Sequence, residues 1–567
     1  MDTSAKAFGS RIDAAQGRQE MDWYPKRRFG DLADEIAARL PDAEGLVFEQ
    51  ARYTFRQIAQ RIDDAAKRLI VAGVGHGDHV ALWLNNCDAW IFTAFAVHKI
   101  GAVLVPINTR FRARDMAYVL RQSDSRFLII EERSGPIDYL AMVREIVTLP
   151  KTGNEVCDPK FPELRQVIVL DAQGNAGVVA WPVLAEKASA VSDGALAGRA
   201  AMVDRDAPTF IMYTSGTTGF PKGAVHSHKL IRNVEERAFR MAITHNDVIL
   251  NYLPLFHAFG YSEGALVSLI TGAKQVITRT FDPHACVDLI ERERVTLVHG
   301  LEVHLRGLTE AQEARPRDVS SLRTGVFAAG MHSATPVVRR GARVLAPLKN
   351  LSGYGMTEIW IGAGLCALDD DEQHRCETSG YPSIGYELRI VDSATGAACP
   401  VGKPGEIQVK GYSLMLGYYK KPEETAGCYT SDGWFRTGDS AVWLDDGYLR
   451  FLGRDKDMLK IGGENVDPME TEGLLLEHAA VYQVAVVGAP DETLGEVAVA
   501  YVQRAPGAAI EADEVIAYCR GKVASYKIPR HVVFVDAFPM TETGKIRKAE
   551  LRADARQRFV TPGTGRC

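Results

Sequence analysis

The sequence predicts an α/β protein: a large N-terminal domain of mixed sheets with helices, a β-rich subdomain, and a small α+β C-terminal domain. Three observations carry this. Helix-spaced and strand-like stretches alternate through the first third, short strands separated by Gly, Pro and Asp turns follow residue 385, and a self-contained α+β pattern follows residue 457. A chain of 567 residues that is 46% hydrophobic and 24% charged can fill several cores and is neither disordered nor a disulfide-stapled miniprotein.

Taken in order, Phe29, Leu32, Ile36 and Leu40 recur at helical spacing, and Phe55 to Ala72 reads the same way. His79–Leu84 and Phe127–Glu131 are apolar runs of strand length, as expected of buried, mainly parallel strands. Pro150 to Pro162 is a loop by composition. Further strands are predicted at Thr209–Tyr213, Val248–Leu253, Gln275–Thr278 and Gly325–Ala329. The β-rich part, about 385–452, contributes Leu388–Val391, Glu406–Lys410 and Tyr448–Phe451. The charged, aperiodic segment 453–457 is read as the hinge between an N-terminal domain, 1–452, and a C-terminal domain, 458–567. The latter reads as strands Gln483–Val487 and Glu496–Gln503, a helix Asp513–Val523 and a strand His531–Val535.

A net charge of -6 argues against a non-specific nucleic-acid binder. The nine cysteines are scattered and form no Cys-x-x-Cys pair, which fits reduced thiols in a cytoplasmic protein. The first residues lack a signal-peptide core, and no uncharged apolar run reaches about 18 residues, so no transmembrane segment is expected. The nearest approach, Leu250 to Ala273, is interrupted by His257 and Glu263.

Four local patterns carry chemistry. Tyr213 to Gly223 (YTSGTTGFPKG) combines small residues, hydroxyls and Lys222, the ingredients of a polyphosphate cradle. It is not a Walker loop, because Gly223 follows Lys222, which disfavours a kinase or ATPase. In Tyr354-Gly355-Met356-Thr357-Glu358, the carboxylate suits a magnesium ion shared with phosphate oxygens, and Tyr354 suits a pocket wall or a base-stacking surface. In Thr437-Gly438-Asp439 followed by Gly453-Arg454, a carboxylate and a guanidinium can meet a ribose diol or a phosphate, although an Asp after Gly is by itself a common turn residue. Lys545 in Thr543-Gly544-Lys545-Ile546 would, read alone, be a solvated charge.

Together with GRDKDMLKIGGENV and PMTETGKIRK, these motifs resemble, in order and over residues 25 to 555, the acyl-CoA synthetases (AMP-dependent carboxylate–CoA ligases) of the adenylate-forming superfamily. The resemblance implies ATP, magnesium and coenzyme A as co-substrates and cofactor, and a C-terminal domain that moves about a hinge at Lys456. It implies that Thr214, Ser215, Gly216, Thr217, Thr218, Gly219 and Lys222 hold the ATP phosphates. Tyr354, Gly355, Met356, Thr357, Asp439 and Arg454 would complete the nucleotide site, with Thr217 and Glu358 toward the metal. Lys545 would be the lysine of the adenylation step, His257 a histidine between acyl and phosphate sites, and Gly462 and Gly463 the path of the CoA thiol.

The acyl pocket would lie among His257, Ala258, Phe259 and Gly260; Gly300 and Leu301; Ala328, Ala329, Gly330 and Met331; and Trp360 and Gly362. These residues are mostly small or apolar, and no Asp follows His257 to meet a substrate ammonium. A medium- or long-chain fatty acid is the expected substrate, with a cyclic or aromatic acid as the alternative. Val298 to His304 lacks the family's proline, and Glu302 and His304 are read as an outward-facing pair in preference to readers of a polar substituent. The rival readings are a stand-alone enzyme loading a carrier protein, a luciferase-like oxygenase and a silent nucleotide-binding regulator; a homo-oligomer stays open.

Overall fold

The structure, a computed structural model, describes residues 27–135, 137–171, 176–214, 221–327, 335–454, 457–461, 464–491, 494–523, 525–540 and 545–559. Two large sheets organise the N-terminal domain. One has seven strands in the order Lys349–Leu351, Thr324–Val326, Leu297–Val298, Val248–Asn251, Lys274–Ile277, Glu44–Phe48, Ala51–Thr54, and all but the last run parallel. The other has eight, in the order Gly417–Tyr418, Lys222–Ser227, Pro208–Thr214, Val103–Pro106, His79–Trp83, Phe127–Ile130, Gln166–Val169, Val179–Ala180. From Pro208–Thr214 onward its neighbours are parallel, as the apolar strand runs predict.

A single core joins the helices and strands between these sheets, with Phe29, Trp90, Phe95, Phe210, Tyr261 and Trp360 at its centre. The helix Asp88–Lys99 is buried from Trp90 onward. Even Lys99 is covered, and its ammonium meets Asp34 at 2.8 Å and also pairs with Asp63, the pairing a buried cation requires. The stretch Leu250–Ala273, which came nearest to a membrane span, breaks into a strand, a short helix Ala258–Gly260, a π-helical turn Tyr261–Leu266 and a helix Val267–Thr271. No helix among the described residues is long and apolar enough to cross a membrane.

The β-rich part is a four-stranded antiparallel sheet, Tyr386–Val391, Gly405–Gly411, Phe435–Trp443 and Leu449–Arg454. Its last strand continues through Gly453 and Arg454 in register with Asp439 and Ser440, so the first two residues of the predicted hinge extend a strand. Lys456 lies outside the described residues. Beyond it, a hairpin of Val481–Asp491 and Gly495–Arg504 is flanked by Leu459–Ile461, Glu464–Val466 and, in parallel, His531–Phe534. The hairpin is longer at both ends than its sequence pattern indicates. The predicted helix to Val523 instead stops at Cys519, because Arg520 turns extended and Gly521 takes a left-handed φ of 73°.

Candidate active site

The antiparallel pair Pro208–Thr214 and Lys222–Ser227 opposes Thr214 to Lys222 and Tyr213 to Gly223. Both ends of the predicted phosphate loop are thereby fixed; Ser215, Gly216, Thr217, Thr218 and Gly219 lie outside the described residues. Lys222 Nζ stands 4.9 Å from the centre of the Tyr418 ring. The Tyr418 hydroxyl donates to Glu358 Oε1 at 2.7 Å. Glu358 is nearly buried on the turn Thr357–Ile359, and that turn is pinned from two sides. Met415 N–H donates to the Glu358 carbonyl at 2.7 Å, and His226 Nε2 meets the Thr357 carbonyl at 2.8 Å. Burial depresses the His226 pKa to about 4, so the ring is neutral and its Nε2–H is the donor.

Gly355 lies where a Cβ would come within 2.4 Å of the Ile361 backbone, so the strand pair admits only glycine. The neighbouring Tyr354 is buried, and its hydroxyl donates to Asp439 Oδ2 at 2.7 Å. Asp439 is set by Gly438, whose φ of 66° is left-handed, and by its own N–H donating to Thr437 Oγ1 at 3.1 Å. Tyr354 thus clamps Asp439. Arg454 faces Asp439 in strand register.

Of the predicted acyl-site segments, three converge. His257 precedes the short helix Ala258–Gly260, where a Cβ on Gly260 would meet the Pro254 carbonyl at 2.3 Å. Phe259 reaches the His299 ring at 6.5 Å, beside Gly300 and Leu301. Gly362 packs on Asn233, whose Nδ2 donates to its carbonyl at 3.0 Å. Trp360 lies within the core. It is fully buried between Phe210 at 5.8 Å and His226 at 5.2 Å, with a left-handed φ of 61°. Ala328, Ala329, Gly330 and Met331 lie outside the described residues, as do Gly462 and Gly463.

The outward-facing pair resolves differently for its two members. Glu302 binds Arg306 at 2.5 Å, and Arg306 donates across to the Tyr482 carbonyl of the C-terminal domain at 2.7 Å. His304 turns inward, its ring 5.3 Å from Tyr252 and 4.8 Å from Phe281, and its Nδ1 accepts from Leu301 N–H. The expectation fails for His304 because capping the helix that begins at Glu302 draws its ring back over the apolar side.

Lys545 is exposed, yet its charge is felt at His257. Burial first, then Lys545 and Arg110, depress the His257 pKa to about 4. Among the described residues no cluster of three or more His, Cys, Asp or Glu side chains could hold a metal by itself. A lone carboxylate such as Glu358 suits magnesium that draws its other ligands from phosphate oxygens and water.

Residues 33–419 match the AMP-binding enzyme family and residues 470–545 the AMP-binding enzyme C-terminal domain. The chain is 35% identical to a 3-[(3aS,4S,7aS)-7a-methyl-1,5-dioxo-octahydro-1H-inden-4-yl]propanoyl:CoA ligase of Rhodococcus jostii, covering 89% of this chain and 94% of that one. It is 32% identical to the mitochondrial medium-chain acyl-CoA ligase ACSF2 of Danio rerio, over 91% of this chain and 86% of that one. Among solved structures, the anthranilate CoA ligase AuaEII in complex with anthranoyl-AMP superposes with a TM-score of 0.82 at 25% identity, over 95% of this chain and 99% of that one.

Proposed function

The chain belongs to the AMP-binding enzyme family as an AMP-forming acid–CoA ligase, and from that premise we propose that it activates an apolar carboxylic acid of medium length and transfers it to coenzyme A. The observation that supports the catalytic part is Tyr418 standing between the Lys222 ammonium and the Glu358 carboxylate, with Tyr354 clamping Asp439.

In the first half-reaction a carboxylate oxygen attacks the α-phosphorus of ATP, the bond to the β-phosphate breaks, and pyrophosphate leaves. The acid is already ionised, so no general base is needed; the obstacle is the approach of two anions. Lys222 and Lys545 neutralise that charge, and Asp439, held by Tyr354, orients the ribose. Magnesium bound between Glu358 and the phosphates would supply further neutralisation there. His257 stays uncharged and shapes the wall between acid and phosphate. In the second half-reaction the CoA sulfur attacks the acyl carbonyl, AMP leaves, and the thiol proton passes to solvent. Gly462 and Gly463 would line that thiol's path.

Two classes of acid fit the apolar lining. The medium-chain relatives support a fatty acid, and the relatives acting on a bicyclic propanoate support an alicyclic acid of similar bulk. Pyrophosphate release over a panel of fatty, alicyclic and aromatic acids, with and without CoA and with mass detection of the thioester, tests the reading. CoA-dependent turnover of one class is the expected result. Adenylate formation that CoA does not drive onward would indicate a carrier protein as acceptor.

A further inference from the structure

Two charged side chains pair in the buried interior, a buried histidine lies against the ring of Phe259, and none of the three has a part in the chemistry above. Arg237, on the helix Leu230–Arg240, pairs with Glu263 in the π-helical turn, with each side chain at most 2% exposed. Arg237 Nε donates to Glu263 Oε1 at 2.7 Å, and its Nη1 donates to the Ile361 carbonyl at 3.2 Å. His299 follows the strand Leu297–Val298 and is 2% exposed. The Glu263 and Arg237 charges both act on its ring.

The cluster lies among three of the segments that converge on the acyl site. Glu263 follows His257 by six residues along one helical path, roughly 9 Å of axial rise. His299 adjoins Gly300 and touches Phe259. Arg237 holds the backbone next to Gly362, where a Cβ would come within 3.1 Å of Arg237 Cδ. The cluster therefore adjoins the acyl-site segments at Phe259, Gly300 and Gly362.

Two of its atoms lack any hydrogen-bond partner, Glu263 Oε2 and His299 Nε2. Their polarities are fixed. His299 Nδ1 accepts from Val326 N–H at 3.1 Å, so a neutral ring carries its proton on Nε2 and presents a donor. Glu263 is tied to Arg237 through Oε1, which leaves Oε2 as an acceptor. Buried polar atoms left this way are costly unless something answers them. A donor and an acceptor left in one buried region are both answered by a single hydroxyl that reaches them, whereas a carbonyl answers only the donor and a methyl answers neither. A π-helical turn is itself an unusual device, found frequently at functional sites.

We propose that Arg237, Glu263 and His299 form a distal subsite that selects acids carrying a hydroxyl group far from the carboxylate, the hydroxyl accepting from His299 Nε2–H and donating to Glu263 Oε2. This rests on the ligase reading and refines its substrate: an apolar body with one polar end.

The test uses the intact protein and matched acids of equal length, aliphatic and alicyclic, bearing a methylene, a hydroxyl or an oxo group at successive positions. For one hydroxyl position kcat/KM is expected to exceed that of the unsubstituted acid by about 100-fold or more, since a site built to bond a hydroxyl rejects its absence strongly. Glu263→Gln keeps an oxygen for Arg237 and turns the acceptor into an N–H donor, so the preference should move from hydroxy toward oxo acid by about tenfold or more. Should that variant fail to fold, His299→Phe is expected to abolish discrimination among all three. Wild-type turnover that is equal for hydroxy and unsubstituted acids overturns the subsite and leaves the ligase intact. A hydroxyl preference that survives in every folded variant also overturns it. Absence of pyrophosphate exchange with every acid overturns the ligase reading and this inference with it.

Discussion

The Tyr418 hydroxyl hydrogen-bonds Glu358 Oε1 at 2.7 Å, across 60 residues of sequence. The same ring lies 4.9 Å from the Lys222 ammonium, so one phenol positions an anion and a cation that the motifs place separately. Tyr418 is held on the strand Gly417–Tyr418, paired with Ala224 two residues after Lys222.

Tyr418→Phe keeps the ring beneath Lys222 and removes the bond to Glu358. Partners that orient a metal-binding carboxylate commonly contribute about 10- to 100-fold in metal affinity or activity. Pyrophosphate release should fall by about tenfold at limiting magnesium and recover substantially at saturating magnesium. An unchanged magnesium dependence would remove Glu358 from the metal site.

Lys545→Ala should separate the half-reactions. Loss of one positioned charge at a developing anion costs about 3 kcal/mol, or about 100-fold or more in acyl-AMP formation. Conversion of supplied acyl-adenylate to thioester should persist, because the role proposed for Lys545 is confined to the first step. Equal loss in both half-reactions would refute the division.

The pH dependence follows from His257. Its pKa is depressed to about 4 by burial, Lys545 and Arg110, so protonation sets in only as pH falls through that value. With saturating acid, acyl-AMP formation should show no limb near the ordinary histidine value of about 6.5. Removing the Lys545 ammonium withdraws one of the depressing charges, so in Lys545→Ala the His257 titration should move upward. A wild-type limb near neutrality would place a charged imidazole in the mechanism.

How much of this was legible follows from what each residue demands locally. Lys222, Glu358 and Asp439 stand beside glycines and threonines whose backbone needs are written in the sequence, such as the left-handed Gly438 and the crowded Gly355. Tyr418 carries no such mark, since only the pairing of distant strands brings it to Glu358. Arg237, Glu263 and His299 are equally silent, because each looks like an ordinary helix or strand residue until the fold buries it. Alternation revealed the parallel strands, but not that Arg454 would continue a strand into the predicted hinge.

Arg306 makes a contact between domains that can be tested apart from the catalytic groups. It donates to the Tyr482 carbonyl at 2.7 Å and lies 5.3 Å from the Tyr482 ring, while Glu302 fixes its other side. A hydrogen bond from a charged group contributes about 1.5 kcal/mol or more. Arg306→Ala should therefore slow acyl-AMP formation by about 3- to 10-fold through a less populated domain arrangement. The ratio of thioester formation to adenylation should rise; a fall in that ratio would mean that the contact serves the second step.

Trp360 sets two effects against each other. Its φ of 61° and ψ of −169° belong to a region that only glycine enters without strain. Trp360→Gly should therefore relieve about 1–3 kcal/mol of backbone strain. The indole is also fully buried against Phe210 and His226, and deleting it leaves a cavity costing about 3–5 kcal/mol. Lost packing outweighs relieved strain, so the variant should unfold at lower urea by an amount near 2 kcal/mol, about the difference between the two. The space released lies beside Gly362 and the acyl segments, so bulkier acids should gain kcat/KM relative to straight-chain ones. A variant as stable as the parent would show that strain outweighs the indole's contacts, and an unchanged acid profile would separate Trp360 from the acyl site.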